Sequence, residues 1–229
     1  MKEIKLTFPM AEFDGLKFLM FDTTEHIQVN WAHKHYYEPN MIKFIQQNYK
    51  GGTMIDAGAC IGNHTLAFSK IADLVISFEP LQQIFLHLSM NLAVNVIKNV
   101  VTYNIALSNR NGVEEMTFVD GSAGGGEIRK GGEYIIPVLT LDAFKIKNIN
   151  LIKIDVQEHE AQVLEGAKET IKEQTPDLFI ECTTEEEKSQ HLIYLQTLNK
   201  NYNIYTKVFN FTPTYLFTIK DFKDFEGTI

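Results

Sequence analysis

A chain of 229 residues with 45% hydrophobic content can bury one sizeable core and would be cramped as two domains. Its formal net charge of -8 at pH 7, with no cluster of Lys or Arg, argues against a nucleic-acid footprint and favours a small or neutral acceptor. The two cysteines, Cys60 and Cys182, read as reduced core thiols, and no run of about 18 apolar residues is present to span a bilayer. "MKEIKLTFPMAEFDG" lacks a signal pattern, so the expectation is a cytoplasmic protein with a single domain over residues 1–229. Residues 1–50 are expected to form an N-terminal cap or lid with a first helix, and residues 51–229 the core.

In the first part, "LKFLMFD" from Leu16 reads as a strand and "YEPNMIKFIQQNY" from Tyr37 as a helix beside the sheet. Short β-branched runs then alternate with helical stretches, as in a mostly parallel sheet with helices on both faces. The strands are "TMIDA" from Thr53, "LVISFE" from Leu74, "VVTYNIA" from Val100, "NLIKIDV" from Asn150 and "DLFIEC" from Asp177. Helical spacing falls on residues 63–72, 81–95, 160–173 and 185–199, with Pro176 closing the third. Residues 120–133, "DGSAGGGEIRKGGE", hold six glycines, which argues against a rigid packed element and suggests a mobile loop or a turn between two extra strands. "NIYTKVF" and "PTYLFTIK", joined by "NFT", leave no room for a helix and form a terminal β-hairpin.

Open α/β sheets bind ligands beyond the carboxyl ends of their strands, and Asp56 and Glu79 end the first two, 23 residues apart. A carboxylate after the second strand matches a vicinal diol and suits the ribose of an adenosine. The loop between them separates two cofactor classes. Gly58-Ala-Cys-Ile-Gly62 is not G-x-G-x-x-G, and Asp56 would repel a pyrophosphate while welcoming an ammonium and a sulfonium. The charge pattern points to S-adenosyl-L-methionine.

"MIDAGACIGNHTLAFSK", "SFEPLQQIFLHLSMNLAVN", "ALSNRNG", "TLDAF" and "LIKIDVQEHEAQVLEGA", in this order, resemble the FkbM family of S-adenosylmethionine-dependent methyltransferases, from about Tyr37 to Phe217. The resemblance implies a Rossmann-like α/β fold: a seven-stranded sheet of order 3-2-1-4-5-7-6, last strand antiparallel, with helices on both faces. It implies that Asp56, Gly58, Ala59, Gly62 and Asn63 line the methionine end of the cofactor, that Glu79 and Pro80 hold the ribose, and that Asn104, Ala106 and Leu107 lie near the adenine. Where the family commonly has a glycine, this chain has Glu158, so the backbone there either is not left-handed or carries strain.

Methyl transfer to oxygen needs alignment of acceptor, methyl and sulfur, and removal of a hydroxyl proton. Asp155 and Glu181 end the fourth and fifth strands, and His159 follows Asp155 by one helical turn. His159 is the favoured base, with Asp155 positioning acceptor or cofactor and Glu181 binding sugar hydroxyls; Asp155 as base is the close alternative. A helix N-terminal histidine without a catalytic role is the bland reading of His159. The same three side chains could hold Mg²⁺, but Cys182 and Thr183 supply no further carboxylate, and a divalent metal is not favoured. Trp31, Tyr36 and Tyr37 form either a sugar-stacking wall or ordinary packing, His33 and His35 share one face, and His64 reads as packing. The sequons at Asn63 and Asn210 are taken as accidental.

The leading expectation is an O-methyltransferase acting on a sugar hydroxyl of a glycan or glycosylated small molecule, or on a non-sugar hydroxyl, with no nucleic-acid partner and the oligomeric state open. A cofactor-fold protein without turnover and a nicotinamide oxidoreductase are the alternatives.

Overall fold

The computed structural model describes residues 8–22, 24–118, 124–205, 209 and 213–221. The first strands, β1 (Met10–Phe13) and β2 (Leu16–Leu19), pair as an antiparallel hairpin. Asp14 and Gly15 turn it at φ of 51° and 74°, the left-handed pair that suits a two-residue hairpin turn. Helix α1 (His26–Ala32) begins at Glu25, whose carboxylate accepts from the Ile27 and Gln28 N–H groups. Helix α2 (Pro39–Asn48) starts with proline in its first turn, where the missing N–H costs nothing.

The core then alternates β3 (Thr53–Ala57), α3 (Asn63–Ser69), β4 (Leu74–Phe78), α4 (Gln82–Val94) and β5 (Val100–Tyr103). A second sheet intervenes, made of β6 (Ala106–Leu107), β7 (Gly112–Phe118), β8 (Gly126–Ile128) and β9 (Tyr134–Leu139). The chain returns through β10 (Ile149–Ile154), α5 (Glu160–Gly166), α6 (Lys168–Gln174), β11 (Asp177–Glu181), α7 (Glu185–Leu198), β12 (Asn203–Tyr205) and β13 (Thr214–Thr218). Among the described residues seven strands form the main sheet in the order β5-β4-β3-β10-β11-β13-β12, which is 3-2-1-4-5-7-6, with β13 antiparallel to both neighbours. This is the Rossmann-like methyltransferase sheet.

Strand alternation divides the core into two layers. Met54, Leu151 and Phe179 point to the face covered by Trp31, Phe44, Ile45 and Leu66. Ile55, Ile152 and Leu178 point to the face covered by Val163, Leu164, Ile171 and Leu195. All five residues of β3 are buried, which is why the central strand reads as an unbroken apolar run until Asp56.

Several expectations are corrected. "VVTYNIA" is not one strand: Asn104 Nδ2 donates to the carbonyls of Glu79 and Pro80 at 2.9 and 2.8 Å, turning the chain so that Ala106 and Leu107 join the second sheet. The helix over residues 160–173 breaks at Ala167, because the Asp142 carboxylate accepts from the Glu169 and Thr170 N–H groups and caps a new helix. The glycine-rich stretch lies between two extra strands, β7 and β9, in agreement with the second of its two readings, but it is not wholly irregular. Gly126 opens β8, where a Cβ would stand 2.4 Å from Met116 Cε, so glycine here permits packing. Residues 120–123 of that stretch, the "NFT" turn and the Asn210 sequon lie outside the described residues. No helix among the described residues is long and apolar enough to cross a membrane.

Candidate active site

Beyond the carboxyl ends of β3 and β4 the chain makes a tight turn. Gly58 has φ of 77°, and a Cβ on it would lie 1.8 Å from the carbonyl oxygen of Asp155, so the position requires glycine. Glu79 reaches into this turn, accepting from Cys60 N–H at 3.0 Å through Oε2 and from Leu81 N–H at 2.9 Å through Oε1. Burial outweighs these two donors and pushes its carboxyl up to about 7.

A cavity of about 600 Å³ opens over these strand ends. Its apolar end is formed by Phe78, Pro80, Leu81, Leu107, Met116 and Ile128, the last three from the second sheet. Its polar end holds Tyr37, Glu38, His64, Asp155, Gln157 and Glu181. Gly58, Ala59, Asn63, Glu79, Pro80, Ala106, Leu107, Asp155, His159 and Glu181, all singled out in the sequence, line this one space. Asp56, Gly62 and Asn104 are outside its lining. Asp56 is fully buried beneath it, accepting from Thr65 Oγ1 at 2.6 Å. Gly62, at φ of 100°, precedes α3 and lies close to Leu88, and Asn104 braces the Glu79 turn from behind.

At the polar end three charged groups stack in depth. Lys153, 2% exposed, lies 3.7 Å from Asp56 Oδ1 and 3.1 Å from Asp155 Oδ2. Burial opposes its charge, but Asp155 and Asp56 more than offset that and hold the ammonium protonated. Burial would also raise Asp155; the Lys153 charge overrides it and the carboxyl is lowered. Burial, together with the neighbouring Asp155 anion, pushes Glu181 up to about 9. Gln157 Nε2 donates to Asp155 Oδ1 at 3.2 Å and to Glu181 Oε2 at 3.3 Å.

Gln157 and Glu158 have φ of 57° and 67°, so the backbone is left-handed where the family commonly has glycine, and the strain is present. His159 is the N-cap of α5, with Nε2 3.0 Å from Ser108 Oγ. Burial lowers its imidazole, and the charges that bear on it are Glu114 and Arg110. It sits where the cavity meets a shallower groove carrying Arg110 and Arg129, the only arginines in the chain. His64 is nearer the carboxyls: its Nε2 is 3.0 Å from Glu38 Oε2, and it lies within electrostatic reach of Asp155. Among the described residues no group of three or more His, Cys, Asp or Glu side chains is arranged to hold a metal ion.

Of the aromatics considered for a sugar wall, Trp31 is fully buried against Phe18, Tyr36 is buried with its hydroxyl on Asp14, and Tyr37 alone faces the cavity. His33 and His35 are exposed and outside the lining. Sequence reasoning missed Lys153 and the Glu38–His64 contact. Lys153 had a signal, being the single charge inside the buried run of β10; Glu38 had none, since only the fold brings it to His64.

Residues 56–205 match the sequence profile of the methyltransferase FkbM domain. The methyltransferase FkbM of Methylobacillus flagellatus superposes with a TM-score of 0.59 at 17% identity, over 82% of this chain and 49% of that one. The chain thus spans about half the length of that relative. The tRNA (uracil-54, C5)-methyltransferase of Pyrococcus abyssi, solved with S-adenosyl-L-homocysteine, superposes with a TM-score of 0.51 at 11% identity, over 92% of this chain and 42% of its own. An rRNA methylase of Streptococcus thermophilus gives 0.50 at 14%, over 78% and 92%. At such identities these likenesses speak for the fold alone. No curated protein matches the sequence. With the profile spanning most of the chain and the strand order in agreement, this protein belongs to the FkbM methyltransferase family.

Proposed function

We propose that the chain is an S-adenosylmethionine-dependent O-methyltransferase that methylates a hydroxyl of a sugar, in a glycan or a glycosylated metabolite. The observation that carries the cofactor reading is the Glu79 carboxylate, fixed by two backbone donors with lone pairs left over for a ribose diol. The residues fit the rest of the group. The apolar end of the cavity suits an adenine, the Gly58 turn leaves room for close backbone approach, and the acidic end suits a ligand that ends in cations. When bound, the cofactor supplies an electrophilic methyl group.

The chain's own part is to orient and to handle a proton. Glu79 would hold the ribose, and Asn63 together with the Gly58 turn would shape the methionine end. Tyr37 offers an aromatic face, and Glu181, Gln157 and Thr183 offer hydrogen-bonding groups, which together match a sugar better than a flat apolar acceptor. Family membership supports methyl transfer, and the acidic composition weighs against a nucleic-acid acceptor.

Titration calorimetry with S-adenosylmethionine, S-adenosylhomocysteine and NAD tests the cofactor, with heat expected from the adenosyl ligands only. Transfer of a labelled methyl group to rhamnosides and hexosides, against phenolic and polyketide alcohols, then tests the acceptor. Labelling confined to the non-sugar alcohols would move the assignment to a non-sugar hydroxyl.

A further inference from the structure

Strands β10 and β11 run parallel in register, Ile154 beside Ile180, so the next residue of each, Asp155 and Glu181, emerges side by side at the cavity floor. Two ionised carboxylates so placed repel; burial and that repulsion raise the Glu181 carboxyl, while the Lys153 charge lowers that of Asp155. The Gln157 amide spans the pair, and Lys153 contacts only its Asp155 side, so the anion resides on Asp155 and the proton on Glu181. The surrounding charges come from every side: Asp56 beneath Lys153, Glu38 and His64 across the cavity, His26 from α1 and Glu160 from α5.

We propose that Asp155 and Glu181 act as one proton-holding unit, positioned by Lys153 and Gln157, which releases its proton when the cationic methyl donor binds and so stands ready to accept the acceptor's hydroxyl proton. This rests on the S-adenosylmethionine reading of the cavity and names the proton acceptor within it. The Asp155 N–H donates to the Ala57 carbonyl at 3.2 Å, immediately before the Gly58 turn, so a ligand lying over that turn lies against the pair. A sulfonium beside it favours two anions over one; the neutral sulfur of S-adenosylhomocysteine does not. In the transfer step the acceptor O–H bond breaks, its proton passes to the carboxyl pair, an O–CH3 bond forms, and the electron pair of the broken C–S bond stays on sulfur. The pair is then singly protonated again, the state that suits the product.

The test needs no acceptor. Proton release on binding is measured by calorimetry at about pH 7 in buffers of different ionisation enthalpy, for the wild type and for Glu181→Gln, whose amide reproduces the protonated carboxyl. With S-adenosylmethionine the wild type should release close to one proton more than the variant; with S-adenosylhomocysteine the two should agree. The ligand's amine titrates alike in both proteins, so the difference belongs to the pair. Wild-type affinity for S-adenosylmethionine should also rise by up to about tenfold per pH unit relative to the variant while the free pair holds its proton. In Lys153→Gln that rise should extend to higher pH, because the pair has lost its cation. Equal proton counts with both proteins binding S-adenosylmethionine would overturn the proposal and leave the cofactor assignment standing. Absence of binding to the wild type would overturn both.

Discussion

Asn63 and Tyr37 hold each other through a reciprocal amide pair, Tyr37 N–H donating to Asn63 Oδ1 at 3.0 Å and Asn63 Nδ2 donating to the Tyr37 carbonyl at 2.9 Å. The Trp31 indole donates to the same Oδ1 at 3.1 Å, so one side chain of α3 fastens the N-terminal segment over the cavity. Asn63→Ala removes three hydrogen bonds at a buried position, and a loss of about 3 kcal/mol is expected by denaturant titration. Cofactor affinity should fall with it, since Tyr37 and Glu38 form the polar wall. A loss below about 1 kcal/mol would mean the segment is held by its apolar contacts instead.

Gly58 and Gly131 both have positive φ, of 77° and 84°, but differ in surroundings. Gly58→Ala drives a methyl into the Asp155 carbonyl and should cost at least about 3 kcal/mol, or abolish folding. Gly131→Ala meets nothing within 4 Å and should cost about 1 kcal/mol from backbone conformation alone. Equal urea midpoints for the two variants would contradict the contact between the two strand ends.

Glu79 gives a pH dependence with a definite sign. Its carboxyl is raised from 4.5 to about 7, so the folded protein binds the extra proton between those values and its stability falls as pH rises through them. The contribution is about 3 kcal/mol at most. Glu79→Gln should flatten this fall, gaining in melting temperature at high pH relative to wild type while losing cofactor affinity. An unchanged pH profile in the variant would show that another carboxyl, such as Glu160, also raised to about 7, carries the effect.

The sheet was legible in the sequence because its signals are local. Runs such as Thr53–Ala57 are buried on both faces and read as continuous apolar strands, and the Gly58 to Gly62 turn announces itself in small residues. The second sheet was half legible: the glycine-rich run suggested two extra strands around it, which are β7 and β9, but β8 within the run was hidden because its packing depends on the Met116 side chain of the paired strand. The break at Ala167 was equally invisible, being imposed by Asp142 from a distant turn. In the candidate site, single-residue signals were readable. The pairing of Glu38 with His64 and of Lys153 with two acids exists only once strands and helices have met.

Glu158 is exposed and left-handed at φ of 67° without being glycine. Glu158→Gly should therefore stabilise the protein by about 0.5–1 kcal/mol, the conformational relief exceeding the extra freedom of glycine in the unfolded chain. Thermal unfolding of the variant measures this directly; a lowered melting temperature would show that the glutamate makes a compensating contribution.

The depth of Lys153 has a consequence for how this site can change over generations. A buried cation here serves two acids at once, and losing Lys153 leaves Asp56 and Asp155 facing each other without a counter-charge. A single substitution at Lys153 therefore passes through a destabilised intermediate, while a joint replacement of Lys153 and Asp56 by apolar residues of similar volume removes the buried pair together. The floor of the cavity is thus expected to vary in correlated steps among descendants of this sequence, whereas its apolar end, built of separate side chains, is free to drift one residue at a time.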